Sequence, residues 1–193
     1  VNTVDVTYTY TEVNCQNVTW SDGNGANTTL ASCGTNITTP TWSQGKHNIT
    51  VFMRDIANNL GKGFVSFTAD ITDPVLKARS PLNQSYATTT VLFNVTATDN
   101  IAVSLCYYSL NGGAKNYSLT QAGSSSSYNV TNTTMTQGHK TATFYCNDTG
   151  DNWGLNNTRQ FTVDSVLPVV TIASPTNTTN SSNTGLDVKY TYT

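Results

Sequence analysis

Apolar and polar residues alternate one by one near the start of the chain. Val4, Val6, Tyr8 and Tyr10 fall on one side of an extended strand, and Asp5, Thr7 and Thr9 on the other. The same period of two returns at Phe93, Val95 and Ala97 against Asn94, Thr96 and Thr98. Further strands are expected at 106–110, 140–146 and 158–163, with 47–53 and 64–69 as earlier counterparts of the last two. Turn signals stand at Asp22-Gly23-Asn24-Gly25, Gln44-Gly45, Asn111-Gly112-Gly113 and Gln137-Gly138. No stretch carries the 3.6-residue stripe of a helix. Short strands ending in turns at intervals of about 8 to 12 residues predict an all-β chain of two packed sheets.

The chain repeats itself. FTADITDPVLKARSP at 67–81 matches FTVDSVLPVVTIASP at 161–175 with an offset of 94, through Phe67 and Phe161, Asp70 and Asp164, Pro74 and Pro168, and the two Ser-Pro pairs. Ser43-Gln44-Gly45 matches Thr136-Gln137-Gly138, and Asp55 matches Asp148, at an offset of 93. The opening strand, NTVDVTYTYT from Asn2, returns as NTGLDVKYTYT from Asn183, with Asp5 and Asp187 separated by 182 residues. A structural unit of roughly 91 to 94 residues accounts for all three matches. It predicts a first unit (1–73) lacking its first strand, a whole second unit (74–165) and the opening strands of a third (166–193). The chain would then be a window on a longer array that alternates two kinds of unit.

Charge changes the picture next. Only 10% of residues are charged and the net charge is −2, where a soluble domain carries roughly 25%. The polar coat must come from 23 Asn and 36 Thr. Thr suits a strand with one wet face. Thirteen asparagines open the acceptor pattern for N-linked sugar: Asn17, Asn27, Asn36, Asn48, Asn83, Asn94, Asn116, Asn129, Asn132, Asn147, Asn156, Asn177 and Asn180. Two readings stand, a chance product of the composition or a composition selected for sugar. Each site needs an exposed Asn, and a sugar coat would shield sheet edges as charge normally does. No signal peptide, long apolar run, basic tail or lipidation motif is present in the sequence.

Four cysteines without a C-x-x-C pair or a histidine cluster read as disulfides formed in an oxidising, extracellular setting. Of three possible connectivities, Cys15 with Cys33 and Cys106 with Cys146 keep each bridge within one unit. The first staples a small loop and the second suits an inter-sheet or cross-core bridge, worth roughly 3 and 4 kcal/mol. Asp148, Asp151 and Asn152 could offer oxygens to Ca²⁺, as could Asp70, Asp73, Asp99 and Asn100. The competing reading is a carboxylate bonded into its own tight turn. Carboxylates are few for a calcium-dependent array, so no metal is expected.

Catalytic patterns are sparse. His47 and His139 follow the Gln-Gly turns and read as satisfied surface residues. The serines Ser124 to Ser127 lack a Gly-x-Ser-x-Gly elbow. Glu12 is the sole Glu, which excludes paired-Glu glycosidase layouts and leaves only an Asp pair. No enzyme is expected. Nine scattered Lys and Arg make no nucleic-acid footprint. Trp20, Trp42, Trp153 and ten Tyr read as core anchors or as an exposed sugar platform, with at most one of Tyr107 and Tyr108 in the core.

The run D-x-x-x-P-x-V-x-x-x-S-P at 164–175, TATDN at 96–100, YSLNGG at 108–113 and FYCNDTGDNWG at 144–154 followed by FTVD at 161–164 carry a resemblance. Together they resemble the tandem immunoglobulin-like repeats of very long archaeal and bacterial cell-surface or filament-forming glycoproteins. The sequon density resembles the archaeal members more. The resemblance implies Greek-key β-sandwiches at the cell surface, acting as stalks, adhesin shafts, surface-layer components or filament subunits. The partners it implies are neighbouring copies or domains end to end, and a host or neighbouring cell surface. The first unit departs from it, lacking the Asn-Gly-Gly turn and carrying Met53 where the second unit has Cys146. Two assemblies are open: units covalently in tandem, with Pro74 and Pro168 stiffening the joints, or subunits joined by strand donation into the first unit.

Overall fold

The computed structural model describes residues 4–38, 41–176, 182, 185 and 187–193. These residues form strands and turns only. A four-stranded sheet in the order β2-β1-β3-β4 is built from β1 (Cys15–Asp22), β2 (Thr28–Thr29), β3 (Gly45–Asp55) and β4 (Leu60–Ala69). The largest sheet uses β5 (Val75–Ser80), β6 (Ser85–Tyr86), β7 (Val91–Thr98), β8 (Val103–Ser109), β9 (Asn116–Gln121), β10 (Ser127–Asn132), β11 (Gly138–Asp148) and β12 (Trp153–Val163). Its order is β5-β7-β10-β9-β8-β11-β12-β6. A last pair joins β13 (Val170–Ser174) to β14 (Lys189–Tyr192).

The large sheet folds on itself. The first four residues of β9 pair with β8 and its last two with β10, so β9 turns the corner between two layers. Alternation then puts Val91, Phe93, Val95 and Ala97 of β7 inside, facing Ala142, Phe144 and Cys146 of β11. Phe93 stacks on Tyr108 with ring centroids 3.8 Å apart. Full burial of such side chains is worth about 1.5–3 kcal/mol each.

β5 and β6 close this sandwich from both sides. β5 pairs with β7 in one layer, and β6 runs parallel to the end of β12 in the other. Between the layers, Asn156 Nδ2 donates to the Leu76 carbonyl at 3.3 Å and Arg159 Nη2 to the Ala78 carbonyl at 2.6 Å. Gly154 makes this approach possible, because a Cβ there would overlap the Pro74 carbonyl and the Leu76 side chain.

A second core gathers Val6, Val18, Ile37, Trp42, Ile49, Val51 and Ala69. Here the expected opening strand differs. Within 4–12 only Val6 is bridged, to Ile37, and no ladder forms. Trp42 Nε1 holds the Val4 carbonyl at 2.8 Å instead. The described residues of this unit contain no counterpart of β5, so nothing extends residues 5–10 into a sheet.

The structure joins Cys15 to Cys33 and Cys106 to Cys146. The expected inter-sheet bridge is corrected: Cys106 and Cys146 are directly paired neighbours on β8 and β11, within one layer. Sequence reading also missed β1, β9 and β10, whose outward positions are occupied by Asn, Ser, Thr and Gln rather than by a regular polar alternation.

Replacing Gly154 with Ala is expected to cost about 1–3 kcal/mol in urea unfolding, because the added methyl must push β5 away. Gly61 holds the same ladder position in the first unit with open space around it, so Gly61→Ala should change stability by no more than about 0.5 kcal/mol. Equal losses at both positions would count against the seat described for β5.

Candidate functional site

Three features combine chemistry with geometry: a groove, a buried histidine and a joint. The groove, about 450 Å³, opens on the first sandwich. Val6, Tyr8 and Tyr10 form one wall, Ile49, Val51 and Met53 the floor, and Gly61, Gly63 and Val65 the other wall. Tyr10 is 43% exposed. Offsets place Ile49, Val51 and Met53 where the second sandwich has Ala142, Phe144 and Cys146. Ile49 and Val51 are themselves buried, at 0% and 9% exposure, and the groove runs beside them. Sequence reasoning missed this site, although two glycines at period two inside β4 were its signal.

His47 corrects an expectation. It is buried, not on the surface. Its Nδ1–H donates to Asp22 Oδ2 and its Nε2–H to the Ser43 carbonyl at 2.8 Å. Asp22 Oδ1 accepts the Asn48 backbone N–H at 2.9 Å. Both ring nitrogens face acceptors, so the imidazolium suits the pocket. The Asp22 hydrogen bond, then the Ser43 carbonyl, raises the His47 pKa above its ordinary value. The His47 hydrogen bond lowers that of Asp22. With both nitrogens donating, this ring has no lone pair to offer a proton. His139 stays exposed.

The two Asp turns after β3 and β11 are built alike. Asp55 accepts from the Asn59 backbone and side-chain amides, both at 2.8 Å. Asp148 accepts from Asn152 in the same way at 2.9 and 2.8 Å, and from Gly150 N–H at 2.7 Å. Asn58 and Asp151 both take the left-handed conformation this turn requires. The Asn59 amides hold the Asp55 carboxyl below its ordinary pKa.

The candidate oxygen donors Asp148, Asp151 and Asn152 do not converge. Asn152 turns its N–H groups toward Asp148, and Asp151 Oδ1 accepts from Asn147 Nδ2 and Trp153 Nε1, each at 3.2 Å. Instead, Asp148 meets Asp70 and Asp99 with carboxylate oxygens within 4.8 Å of one another. Asp70 belongs to the connector and the other two to the second sandwich. Three carboxylates so close repel unless a proton or a hard cation sits among them. The joint is tightened by Asn152 Nδ2, which donates to the Asp70 carbonyl at 3.0 Å. Asp73 lies outside this group.

None of the eleven described sequon asparagines is buried. Asn17, Asn27, Asn48, Asn83 and Asn116 are exposed, and Asn36, Asn94, Asn129, Asn132, Asn147 and Asn156 half-buried. Asn132, Asn147 and Asn156 commit Nδ2 to Tyr108, Asp151 and Leu76. Asn177 and Asn180 lie outside the described residues. Of the tryptophans, Trp42 is core, Trp20 half-buried beside it, and Trp153 is 49% exposed, stacked on Tyr107 at 6.4 Å.

No family model matches the chain, and no curated protein matches it. Among solved structures, fibronectin(III)-like modules of Clostridium thermocellum CbhA align with a TM-score of 0.50 and 13% identity, covering 83% of this chain and 84% of that one. A Bacteroides ovatus surface glycan-binding protein, SGBP-B, solved with a mixed-linkage heptasaccharide, aligns at 0.31 and 12% identity over 40% of its length.

A pH dependence follows for the first sandwich. His47, its pKa raised, adds stability that is complete below about pH 6.5 and is lost as pH climbs through the raised value. Asp22, its pKa lowered, adds stability present above about pH 3.9 and lost as pH falls through the lowered value. Stability should therefore be greatest between these limits, and Asp22→Asn should cost about 1–3 kcal/mol. NMR titration checks this, and a His47 ring titrating below 6.5 would contradict it.

Proposed function

We propose that this all-β, fibronectin(III)-like chain is a structural, non-catalytic part of an extracellular fibre or stalk, made of sandwiches end to end under a coat of N-linked sugar. The carrying observation is the joint. The connector after β4 is held on the next sandwich by the Asn152–Asp70 bond, and Gly150 lies so close that a Cβ there would be 3.0 Å from Asp70 Cβ. Such a joint limits swivel, which is what a stalk requires. Two disulfides fit an oxidising compartment. Accessible sequon asparagines, in a chain with few charges, support a sugar coat in place of charge. Neighbouring copies or domains are the partners this reading requires, and a surface-layer or adhesive setting at a cell surface is its context.

A second reading, a carbohydrate-binding face, draws on the outer side of β8, β11 and β12. There Leu105, Tyr107, Tyr145, Trp153 and Leu155 are cross-strand neighbours, a layout on which sugar rings stack. Asn147 pairs with both Leu105 and Trp153 in the middle of that face. A sugar on Asn147 would cover it, which favours the stalk.

Electron microscopy of native material should show fibres whose axial repeat equals two stacked sandwiches, with glycopeptides occupied at Asn17, Asn27, Asn48, Asn83 and Asn116 and depleted at Asn156, whose amide supports β5. Isolated flexible particles with bare asparagines would sink the stalk. Quenching of Trp153 fluorescence by soluble glycans would favour the second reading.

A further inference from the structure

On the outer side of β8, β11 and β12, six side chains form a block of two rows. Leu105, Asn147 and Trp153 make one row, and Tyr107, Tyr145 and Leu155 the other. Five of the six are apolar or aromatic, and Leu105, Trp153 and Leu155 are 53%, 49% and 62% exposed. A contiguous apolar patch of this kind marks a place where something binds. The sixth residue, Asn147, opens the sequon Asn147-Asp148-Thr149 and so supplies the occupant. We propose that this face is the seat of the sugar that Asn147 itself carries, with the first pyranose ring lying on Trp153 and Tyr107. The inference rests on the sugar-coat part of the stalk reading and names where one sugar packs.

The amide is already aimed. Asn147 Oδ1 accepts the Leu105 backbone N–H at 3.2 Å. Its Nδ2 donates to Asp151 Oδ1 at 3.2 Å, and the Trp153 indole Nε1–H donates to the same oxygen, also at 3.2 Å. One carboxylate oxygen therefore holds the nitrogen that takes the sugar and the indole side by side. Tyr107 stacks on Trp153 with ring centroids 6.4 Å apart and planes 20° from parallel. Cβ atoms of directly opposite residues stand about 4.5–5.5 Å apart and diagonal ones about 7–8 Å, so a ring on Nδ2 reaches both. The C–H groups of the pyranose then meet the negative faces of the aromatic rings.

Attachment leaves this geometry intact. A glycosyl phosphate donor supplies the sugar: the Nδ2–C1 bond forms, and the C1–O bond breaks with its electrons going to the leaving phosphate. Nδ2 loses one proton in that step and keeps its second hydrogen for Asp151.

The first sandwich is an internal comparison. By ladder position Arg54 stands where Asn147 does, between Asn17 and Leu60. Phe52 holds the place of Tyr145, with Thr19 and Lys62 at its sides. The places of Leu105, Trp153, Tyr107 and Leu155 thus fall to Asn17, Leu60, Thr19 and Lys62. The apolar block and the sequon at its centre occur together in one unit and are missing together from the other. Both units keep an apolar core, so the sandwich itself does not require the outer block.

The test uses the full-length chain from a host that adds N-linked sugar, compared with its Thr149→Ala variant. That change removes the acceptor pattern at an exposed side chain and leaves Asn147 and its partners in place. Glycopeptide mapping should find Asn147 occupied. Acrylamide quenching of the exposed Trp153 component should be about twofold weaker with the sugar than in Thr149→Ala. The sugar should also shift the urea unfolding equilibrium of the second sandwich toward the folded state by a factor of about five. That shift should vanish in Trp153→Leu and shrink in Tyr107→Thr, which install the residues of the first sandwich. An occupied Asn147 whose sugar changes neither quenching nor stability, or a shift that survives both ring variants, overturns the seat and leaves the coat standing. An empty Asn147 beside occupied exposed sequons does the same. Soluble glycans that quench Trp153 while the Asn147 sugar is in place also overturn it. No sugar at any sequon sinks the coat and the seat together.

Discussion

The core of the second unit is closed by a stretch of chain that belongs to both layers, β5 pairing with β7 and β6 with β12. The rest of the second unit is arranged around this crossing. Gly154 clears the path, Asn156 and Arg159 reach across to the β5 carbonyls, and Ala78 is buried where a longer side chain would collide. In the first unit the described residues include no strand in the place of β5. Its floor of Ile49 and Val51 is intact, while Tyr10 rises into solvent and residues 5–10 find no ladder. The core of this unit is buried all the same, with Val6, Val18, Ile37 and Ile49 each under 9% exposed.

Much of this architecture was legible before any coordinates. The alternation over Phe93, Val95 and Ala97 marked β7, and the Gln-Gly and Asn-Gly-Gly signals marked turns whose glycines take positive φ. What was not legible depended on long-range partners. His47 was read as a surface residue because its partner Asp22 lies 25 positions away. Cys106 and Cys146 were read as a cross-core bridge because a spacing of 40 does not reveal that β8 and β11 are direct neighbours. β10 escaped because Asn129 and Asn132 interrupt its apolar pattern. At the joint, Asp148 stood in one candidate group and Asp70 and Asp99 in another, and only folding brings the three together.

The scarcity of charge has a spatial counterpart. Asp22, Asp55, Asp70, Asp99 and Asp148 all accept hydrogen bonds from turns, connectors or a histidine. Eight of the nine Lys and Arg lie on strands, beside Asn, Ser and Thr whose side chains bond to one another, as Ser66 does to Asn48 and Ser127 to Asn94. Carboxylates act as fasteners at ends and corners, where backbone N–H groups lack ladder partners. With so few charges in all, sheet edges are open to pairing with other chains. Either a coat must prevent this, or assembly must use it.

The two Asp turns show how one motif can serve two joints. Asp55 and Asp148 hold their turns through the same Asn amides, and the second lies against the connector at Asp70. The difference is one methyl group. Gly150 approaches Asp70 so closely that a Cβ would stand 3.0 Å from its Cβ and 3.2 Å from its carbonyl oxygen. The first unit has Ala57 in that position, so a connector could not lie on the Asp55 turn without a shift of several tenths of an ångström. A joint made at that end must differ in geometry from the joint at Asp70.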